Sequence, residues 1–189
     1  MNAARRFVLA FAAPFALAAQ GVPAKRPAAT PTTQAAAPAP TKADIIAAAR
    51  DVMTRARYAT LATNGPGAQP QARIVDPVPP DKDMVVWIGT NVLTRKLAEI
   101  RLNNHVTLLY FDSKGLEYVT LLGAADVVTD PAEKAKHFKA EWAPFYKKGA
   151  ASDDFALIRV RANRLEVVSP SHRLMNDTTN WRPVGVNLP

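Results

Sequence analysis

The sequence predicts a mainly β fold: an antiparallel β-barrel with short helices packed against it. Five to seven strand-like segments alternate with turns and a few short helices. The connections between these segments are too short for the helical crossovers that a parallel sheet requires. The chain has no cysteine, and its histidines, His105, His137 and His172, form no short metal motif, so we expect neither disulfides nor a metal site. Residues 42–189 are enough to bury a sizeable core without them.

Three short helices are predicted in this domain. Thr41 and Asp44 have the spacing of a capping box, which marks the start of the first helix. Pro131 suits the first position of the third helix, where its missing N–H would be unpaired in any case. In the first two segments apolar residues recur at helical spacing. The predicted ranges are 41–57, 94–102 and 131–142.

The predicted strands are apolar or alternating runs bounded by turn residues. Residues 64–67 form the turn between the first two strands. Gly123, inside the long fifth strand, predicts a bulge or the close approach of another segment. The sequence does not decide whether residues 181–189 form a further strand at the C-terminus. The other strands are predicted over 58–63, 68–75, 84–89, 105–111, 116–128 and 155–168.

The first 41 residues are predicted to lie outside the folded domain. A short basic start and an apolar run over 7–19 have the layout of a secretory signal peptide over residues 1–19. This run is shorter than the roughly 20 residues that span a bilayer, so we expect a cleaved signal and no membrane span after cleavage. An uncleaved anchor is the alternative. The pair Arg5-Arg6 leaves a twin-arginine signal and an ordinary export signal equally open. Residues 20–41, rich in Ala, Pro and Thr, predict a linker. We therefore expect an exported, periplasmic protein.

The positive charge of the chain narrows the ligand class only partly. The formal net charge is +8. From Lys42 onward it is +4, because four of the 24 basic residues and none of the 16 acidic residues come earlier. Such an excess suits a small anionic ligand as well as a nucleic acid. Nucleic-acid binding also needs aromatic residues on a basic face, and the aromatic residues here stand at core-like positions. We therefore expect no nucleic-acid partner.

The most informative segment joins a predicted strand to the second helix, at residues 87–96. Acidic residues are favoured at a helix N-terminus, because its free N–H groups make that end positive. Arg95 and Lys96 stand there instead. A bound phosphate would resolve this conflict, and a solvated basic pair is the alternative. Arg73, in an apolar strand segment, is either an exposed strand residue or a third phosphate contact.

Four motifs then follow one another in a recognisable order. They are Ala59-Thr60-Leu61-Ala62-Thr63, Arg73-Ile74-Val75, Gly89-Thr90-Asn91-x-x-Thr94-Arg95-Lys96 and Tyr118-Val119-x-x-x-Gly123. Together they resemble the pyridoxamine 5′-phosphate oxidase-like family of FMN-binding split β-barrels, which includes the general stress proteins. The resemblance covers about residues 44–168. Its most specific part is the block that ends in Thr-Arg-Lys, because order, spacing and residue type all agree.

This resemblance implies an FMN cofactor and a redox function. Arg73, Arg95 and Lys96 would hold the FMN phosphate, and the backbone of Ile74 and Val75 would lie along the isoalloxazine ring. The other positions that the family pattern assigns to the cofactor are Thr90, Asn91, Thr94 and Tyr118. The resemblance also implies a homodimer with FMN at the interface. Tyr118 falls where the oxidases have a glutamine that reaches the FMN from the partner subunit. A deazaflavin would present a phosphate to the same residues and stays open.

The chain departs from the oxidases in the substrate site. Val78 falls where they have a lysine, and Asp177 falls where they have the last arginine of a C-terminal substrate motif. An acid at that place argues against oxidation of pyridoxamine phosphate. We therefore expect an exported FMN-dependent oxidoreductase. The sequence identifies no catalytic residue for it. The alternatives are an oxidase of another small amine, or a non-enzymatic flavin-binding or stress-response protein, or a haem-binding protein with His172 as the iron ligand.

Overall fold

The computed structural model describes residues 38–189. The predicted signal peptide and the predicted linker up to residue 37 lie outside the described residues. Within them the helices are α1 (Lys42–Ala56), α2 (Arg95–Leu102) and α3 (Pro131–His137). The strands are β1 (Ala59–Asn64), β2 (Pro70–Val75), β3 (Val85–Asn91), β4 (His105–Asp112), β5 (Glu117–Val128), β6 (Phe155–Val168) and β7 (Val184–Asn187). None of the helices in this range is long and apolar enough to cross a membrane.

The seven strands form one antiparallel sheet that curls into a barrel, which confirms the predicted fold class. The strand order is β2-β1-β4-β5-β6-β3, and β7 also pairs with β6. On β6, residues 155–161 pair with β3 and residues 164–167 pair with β7. Beyond β2, Pro77 forms a single bridge to Ile88, and the Val78 N–H donates to the Trp87 carbonyl at 2.7 Å. These contacts bring the two ends of the sheet together.

Helix α1 begins with the predicted capping box. The Thr41 side chain accepts a hydrogen bond from the Asp44 N–H at 3.2 Å, and the Asp44 carboxylate accepts one from the Thr41 N–H at 2.9 Å. These reciprocal bonds satisfy two backbone donors that a helix N-terminus leaves free. The buried face of the helix packs on the barrel and consists of Ile45, Ala48, Ala49, Val52 and Met53.

Helix α3 is shorter than predicted, since it ends at His137 and not near Trp142. Phe138 leaves the helix with an extended backbone and packs edge-on against Phe155, with ring centroids 5.2 Å apart. Residues 140–145 then form a separate 3-10 helix that contains Pro144. Packing of the aromatic side chain against the sheet therefore overrides the helical pattern. The cluster below these turns comprises Trp87, Trp142, Phe155 and Leu157.

Gly123 marks a register shift between β5 and β6, as its sequence position predicts. The pairing slips between Leu122 and Gly123. A Cβ atom at Gly123 would lie only 2.1 Å from the carbonyl oxygen of Arg161. The two strands can therefore approach closely at this point because residue 123 has no side chain.

Candidate functional site

Three basic side chains from two elements meet around one buried carboxylate. Arg73 lies on β2, and Arg95 and Lys96 open α2. Glu99, one turn further along α2, is 2% exposed. Its Oε2 lies 2.7 Å from Arg73 Nη2, and its Oε1 lies 2.8 Å from Arg95 Nε. We call Arg73, Arg95, Lys96 and Glu99 the Glu99 cluster. The structure thus brings together the three cations that the sequence suggested for a phosphate.

Glu99 is the residue of this site that the sequence did not identify. Thr63 on β1 donates a hydrogen bond to its Oε2 at 2.5 Å, so the carboxylate ties α2 to the sheet. Burial alone would raise the pKa of Glu99, but the bonds from Thr63 and Arg73 and the charges of both arginines lower it below its ordinary value. The carboxylate is therefore ionised at neutral pH, and the Glu99 cluster carries a net charge of about +2, counting whole charges.

Lys96 is the member of the cluster whose charge has no partner among residues 38–189. Its side chain is half-buried and forms neither a hydrogen bond nor an ion pair within that range. Burial lowers its pKa, and the nearby Arg73 lowers it further, while Glu99 acts in the opposite direction. Holding a partly desolvated cation beside an arginine is unfavourable unless an anion joins them. The arrangement therefore suits a negatively charged ligand.

The first turn of α2 adds backbone donors to this site. Thr94 is the N-cap residue, but its side chain does not cap the helix. Its hydroxyl donates to the Asn91 carbonyl at 2.8 Å and lies 3.1 Å from the hydroxyl of Thr90. Asn91 uses its own side chain to build the turn, since Oδ1 accepts the Leu93 N–H at 2.9 Å and Nδ2 donates to Asp154 at 3.1 Å. The N–H groups of the first turn are thus left without a side-chain cap, as an anion site requires.

The residues predicted along the flavin ring lie on the same strand as Arg73. Ile74 is 68% exposed on the outer face of β2, whereas Val75 is buried in the core. Ile74 and Val75 are the two residues after Arg73, so β2 connects the Glu99 cluster with the backbone that the family pattern assigns to the ring.

Tyr118 is not brought to the Glu99 cluster within one chain. It stands at the start of β5, opposite Phe111 on β4. With β1 and β4 in between, β5 lies three strand spacings from β2, or about 14 Å. Tyr118 therefore stands apart from the Glu99 cluster along the sheet, and its contact with a cofactor stays a prediction.

His172, on which the haem-binding hypothesis rests, and Asp177, which argues against pyridoxamine phosphate oxidation, both form contacts with neighbouring residues. His172 has its Nδ1 2.7 Å from the Ser169 hydroxyl and its Nε2 3.4 Å from Asp51 Oδ2. A haem iron would have to displace one of these partners. Asp177 accepts the N–H groups of Thr179 and Asn180 at 2.8 and 3.0 Å and so shapes an exposed turn. These bonds lower the pKa of Asp177.

Comparison with known proteins places the chain in a family. The family model described as pyridoxamine 5′-phosphate oxidase matches residues 45–169. A Clostridium acetobutylicum protein related to general stress protein 26 of Bacillus subtilis is 17% identical, with a TM-score of 0.61 over 72% of this chain and 89% of that one.

Two further solved structures have the same fold. General stress protein 26 from Bacillus anthracis is 16% identical, with a TM-score of 0.58 over 77% of this chain and 97% of that one. A pyridoxamine 5′-phosphate oxidase-related, FMN-binding protein from Nostoc punctiforme is 13% identical, with a TM-score of 0.55 over 80% of this chain and 97% of that one. No curated protein matches the sequence. By its family match and its fold, the chain belongs to the pyridoxamine 5′-phosphate oxidase family of split β-barrels.

Proposed function

We propose that this protein binds FMN through the Glu99 cluster and acts as a flavin-dependent oxidoreductase. The observation that carries the proposal is Lys96, a half-buried cation without a partner in the described range, placed beside Arg73 and an uncapped helix start. The Nostoc relative, named as FMN binding, supports the choice of ligand. A bound flavin would supply the electron chemistry, while the protein supplies binding, orientation and local charge.

The charge of the Glu99 cluster suits a phosphate monoester. Such a group carries about −1.5 to −2 charges at pH 7, which balances three cations and one carboxylate. Glu99 accepts a hydrogen bond from Arg73 at 2.7 Å, which orients this guanidinium group before a ligand arrives, and it forms an ion pair with the more exposed Arg95. Ordering the Arg73 side chain in advance reduces the entropy lost on binding.

Removing Arg95 and Lys96 together should weaken FMN binding by about 10²- to 10⁴-fold, because each charged hydrogen bond contributes about 1.5–3 kcal/mol. FMN titrated into the protein and followed by flavin fluorescence measures this. Riboflavin, which lacks the phosphate, should bind weakly to both proteins. An Arg101→Ala/Lys114→Ala variant, which removes two exposed cations elsewhere, should bind FMN normally. Equal FMN affinity in Arg95→Ala/Lys96→Ala and the unmodified protein would contradict the proposal.

A second candidate, a flavin-binding protein without catalysis, is favoured by the state of Glu99. The carboxylate is held ionised by two arginines, which makes it a poor proton donor at neutral pH. Reduction of the bound flavin by NADPH, followed by reoxidation with an added acceptor over many turnovers, would support the oxidoreductase. Absence of turnover with a fully bound flavin would support the binding protein.

We also propose that two chains form a homodimer through the outer face of β2, β1 and β4. Ile74, Leu109 and Phe111 are 68%, 41% and 54% exposed on this face. Thr60 of β1 pairs with both Ile74 and Leu109, so these two apolar side chains stand on the same face of the sheet with one strand between them. Exposed apolar patches of this kind mark interaction surfaces. A second subunit there could also bring Tyr118, which pairs with Phe111, to the cofactor of its partner.

A Leu109→Glu/Phe111→Glu variant should be monomeric in sedimentation velocity experiments at micromolar concentration, where the unmodified protein should be dimeric. Placing like charges on a self-complementary apolar face disfavours association on both subunits at once. Leu102→Glu, an exposed leucine at the end of α2, is the matched control and should leave the dimer intact. A monomeric unmodified protein would rule out this interface.

A further inference from the structure

Thr63 carries a hydroxyl group at an apolar position of β1. The buried residues of this strand are Ala59, Leu61 and Thr63, and the residues between them are half-buried. Because side chains alternate along a strand, Thr63 belongs to the inner face, and it is 3% exposed. Valine has almost the same shape and would fill this place without a polar atom. A threonine here therefore needs a partner for its hydroxyl group.

The Thr63 hydroxyl joins Glu99 to Arg73. It donates to Glu99 Oε2 at 2.5 Å and accepts a hydrogen bond from Arg73 Nη1. Arg73 Nη2 donates to the same carboxylate oxygen at 2.7 Å, so the three side chains close a ring of hydrogen bonds. A hydroxyl group can donate and accept at the same time, and this ring needs both.

The register of β1 and β2 brings Thr63 within reach of Arg73. Leu61 stands directly opposite Arg73, and Thr63 stands directly opposite Gln71. Thr63 and Arg73 are therefore diagonal neighbours on one face, about 7–8 Å apart, a distance that a long side chain spans. Arg73 Nη1 also donates to the backbone carbonyls of Gln71 at 3.1 Å and Leu61 at 3.4 Å.

These bonds leave one edge of the Arg73 guanidinium free. Within residues 38–189 its Nε has no hydrogen-bond partner, and Nη2 donates only to Glu99. The guanidinium group is planar, so holding Nη1 and Nη2 fixes the direction of the remaining N–H groups. An arginine edge with two such donors can bind two oxygens of a phosphate. The contacts of Thr63 and Glu99 thus present this edge to a ligand.

The charge of Glu99 does not require Thr63. Arg73 and Arg95 already form ion pairs with the two carboxylate oxygens. The hydroxyl adds a second fixed point for Arg73, on the nitrogen that forms no ion pair with Glu99. Without it, Arg73 would keep the ion pair but could rotate about that contact.

We propose that Thr63 is a positioning residue for the phosphate group of the ligand, because its hydroxyl fixes the plane of the Arg73 guanidinium. This inference rests on the proposed FMN function, since it assigns Thr63 to the same site. Thr63 acts through Arg73 and does not itself contact the ligand.

Thr63→Val should weaken FMN binding about tenfold, the value of one hydrogen bond. Titration followed by flavin fluorescence measures this. Thr63→Ser keeps the hydroxyl group and should bind FMN as tightly as the unmodified protein. Thr63→Ala removes the hydroxyl without placing a methyl group beside the carboxylate, and should show the same loss as Thr63→Val. Thr107→Val, at a half-buried threonine on the outer face of β4, is the control and should bind FMN normally.

A double-mutant cycle separates positioning from a merely structural role. In an Arg73→Gln background, Thr63→Val should cause no further loss of FMN affinity, because the group that Thr63 orients is absent. If Thr63→Val only loosened α2 from the sheet, it would also displace Arg95 and Lys96, and the loss would be equal in both backgrounds. Equal losses, or normal FMN binding by Thr63→Val, would overturn the proposal.

Inorganic phosphate tests Thr63 without the flavin. Phosphate should raise the melting temperature of the unmodified protein and of Thr63→Ser, and should raise that of Thr63→Val less. Such a pattern without any binding of FMN would contradict the proposed FMN function and still support the role of Thr63. Absence of stabilisation by both ligands would overturn both proposals.

Discussion

Replacement of Arg55 by methionine should lower the free energy of unfolding by about 3–5 kcal/mol, which is the cost of leaving a buried charge without its partner. Arg55 on α1 forms ion pairs with Asp112 at the end of β4 and with Glu117 at the start of β5. Glu117 is 1% exposed, so its charge has little water to replace the arginine. The Ser171 N–H also donates to Glu117, at 2.8 Å. The carboxylate thus joins α1, β5 and the segment after β6.

Urea unfolding measures the effect of Arg55→Met. Arg101→Met, an exposed arginine in the last turn of α2, is the control and should change stability by less than about 0.5 kcal/mol. A loss of less than about 1 kcal/mol for Arg55→Met would show that water compensates Glu117. The Arg55 side chain is itself partly exposed, but the loss of stability arises at the buried Glu117 carboxylate, which is left without its ion-pair partner.

The ion pair between Arg55 and Glu117 also makes the free energy of unfolding depend on pH. Burial would raise the pKa of Glu117, but the bonds from Ser171 and Arg55 lower it from 4.5 to about 2. A carboxylate with a lowered pKa contributes its full stability above pH 4.5 and loses it as the pH falls toward 2. The contribution corresponds to about 3 kcal/mol. Glu117→Gln should therefore unfold with a flatter pH dependence between pH 5 and 2 than the unmodified protein.

Gly123→Ala should destabilise the protein by about 3 kcal/mol, at the upper end for overpacking. The new methyl group would meet the Arg161 carbonyl oxygen at 2.1 Å and the Ala162 Cα at 3.1 Å. Both obstacles are backbone atoms of β6, so a side-chain rotation cannot relieve the clash. The two central strands would have to separate where their register shifts.

Gly67→Ala is the matched comparison for Gly123→Ala in urea unfolding. Gly67 has φ of 66° but nothing within 4 Å of the position that a Cβ would take. Its substitution should therefore cost only the backbone term, about 1–2 kcal/mol. If Gly67→Ala were as destabilising as Gly123→Ala, close approach would not be the reason for glycine at position 123.

Local signals in the sequence predict the elements well, and long-range pairing explains what they miss. The capping box at Thr41 acts within a few residues, so it is visible in the sequence. A glycine inside a long strand is also a local signal of a bulge or a close approach, but the segment that approaches Gly123, at Arg161, is distant in the chain. The strand β7 has only four residues and forms because β6 offers a free edge. Helix α3 stops early because Phe138 packs on β6, which no local pattern encodes.

The candidate site divides in the same way. The pattern of the family brings Arg73, Arg95 and Lys96 to notice, and the structure shows them together. Glu99 stands four residues after Arg95, which in sequence is typical of an ordinary surface pair on a helix. Its burial depends on Thr63 of β1, 36 residues away. Such a position can be recognised only when the sheet and α2 are seen in contact.

The pairing of β3 with β6 fixes when this site can form during synthesis. Residues 85–91 find their sheet partner in residues 155–161, so β3 has no neighbour in the main sheet until most of the chain has been made. Pairing over such a sequence distance is slow, because a long loop must close first. Arg95 and Lys96 follow β3 directly and acquire their final position with it. The hairpin of β1 and β2, which carries Arg73, can form much earlier. Barrel closure is therefore the step that brings the separate basic residues together in the Glu99 cluster, the proposed anion site.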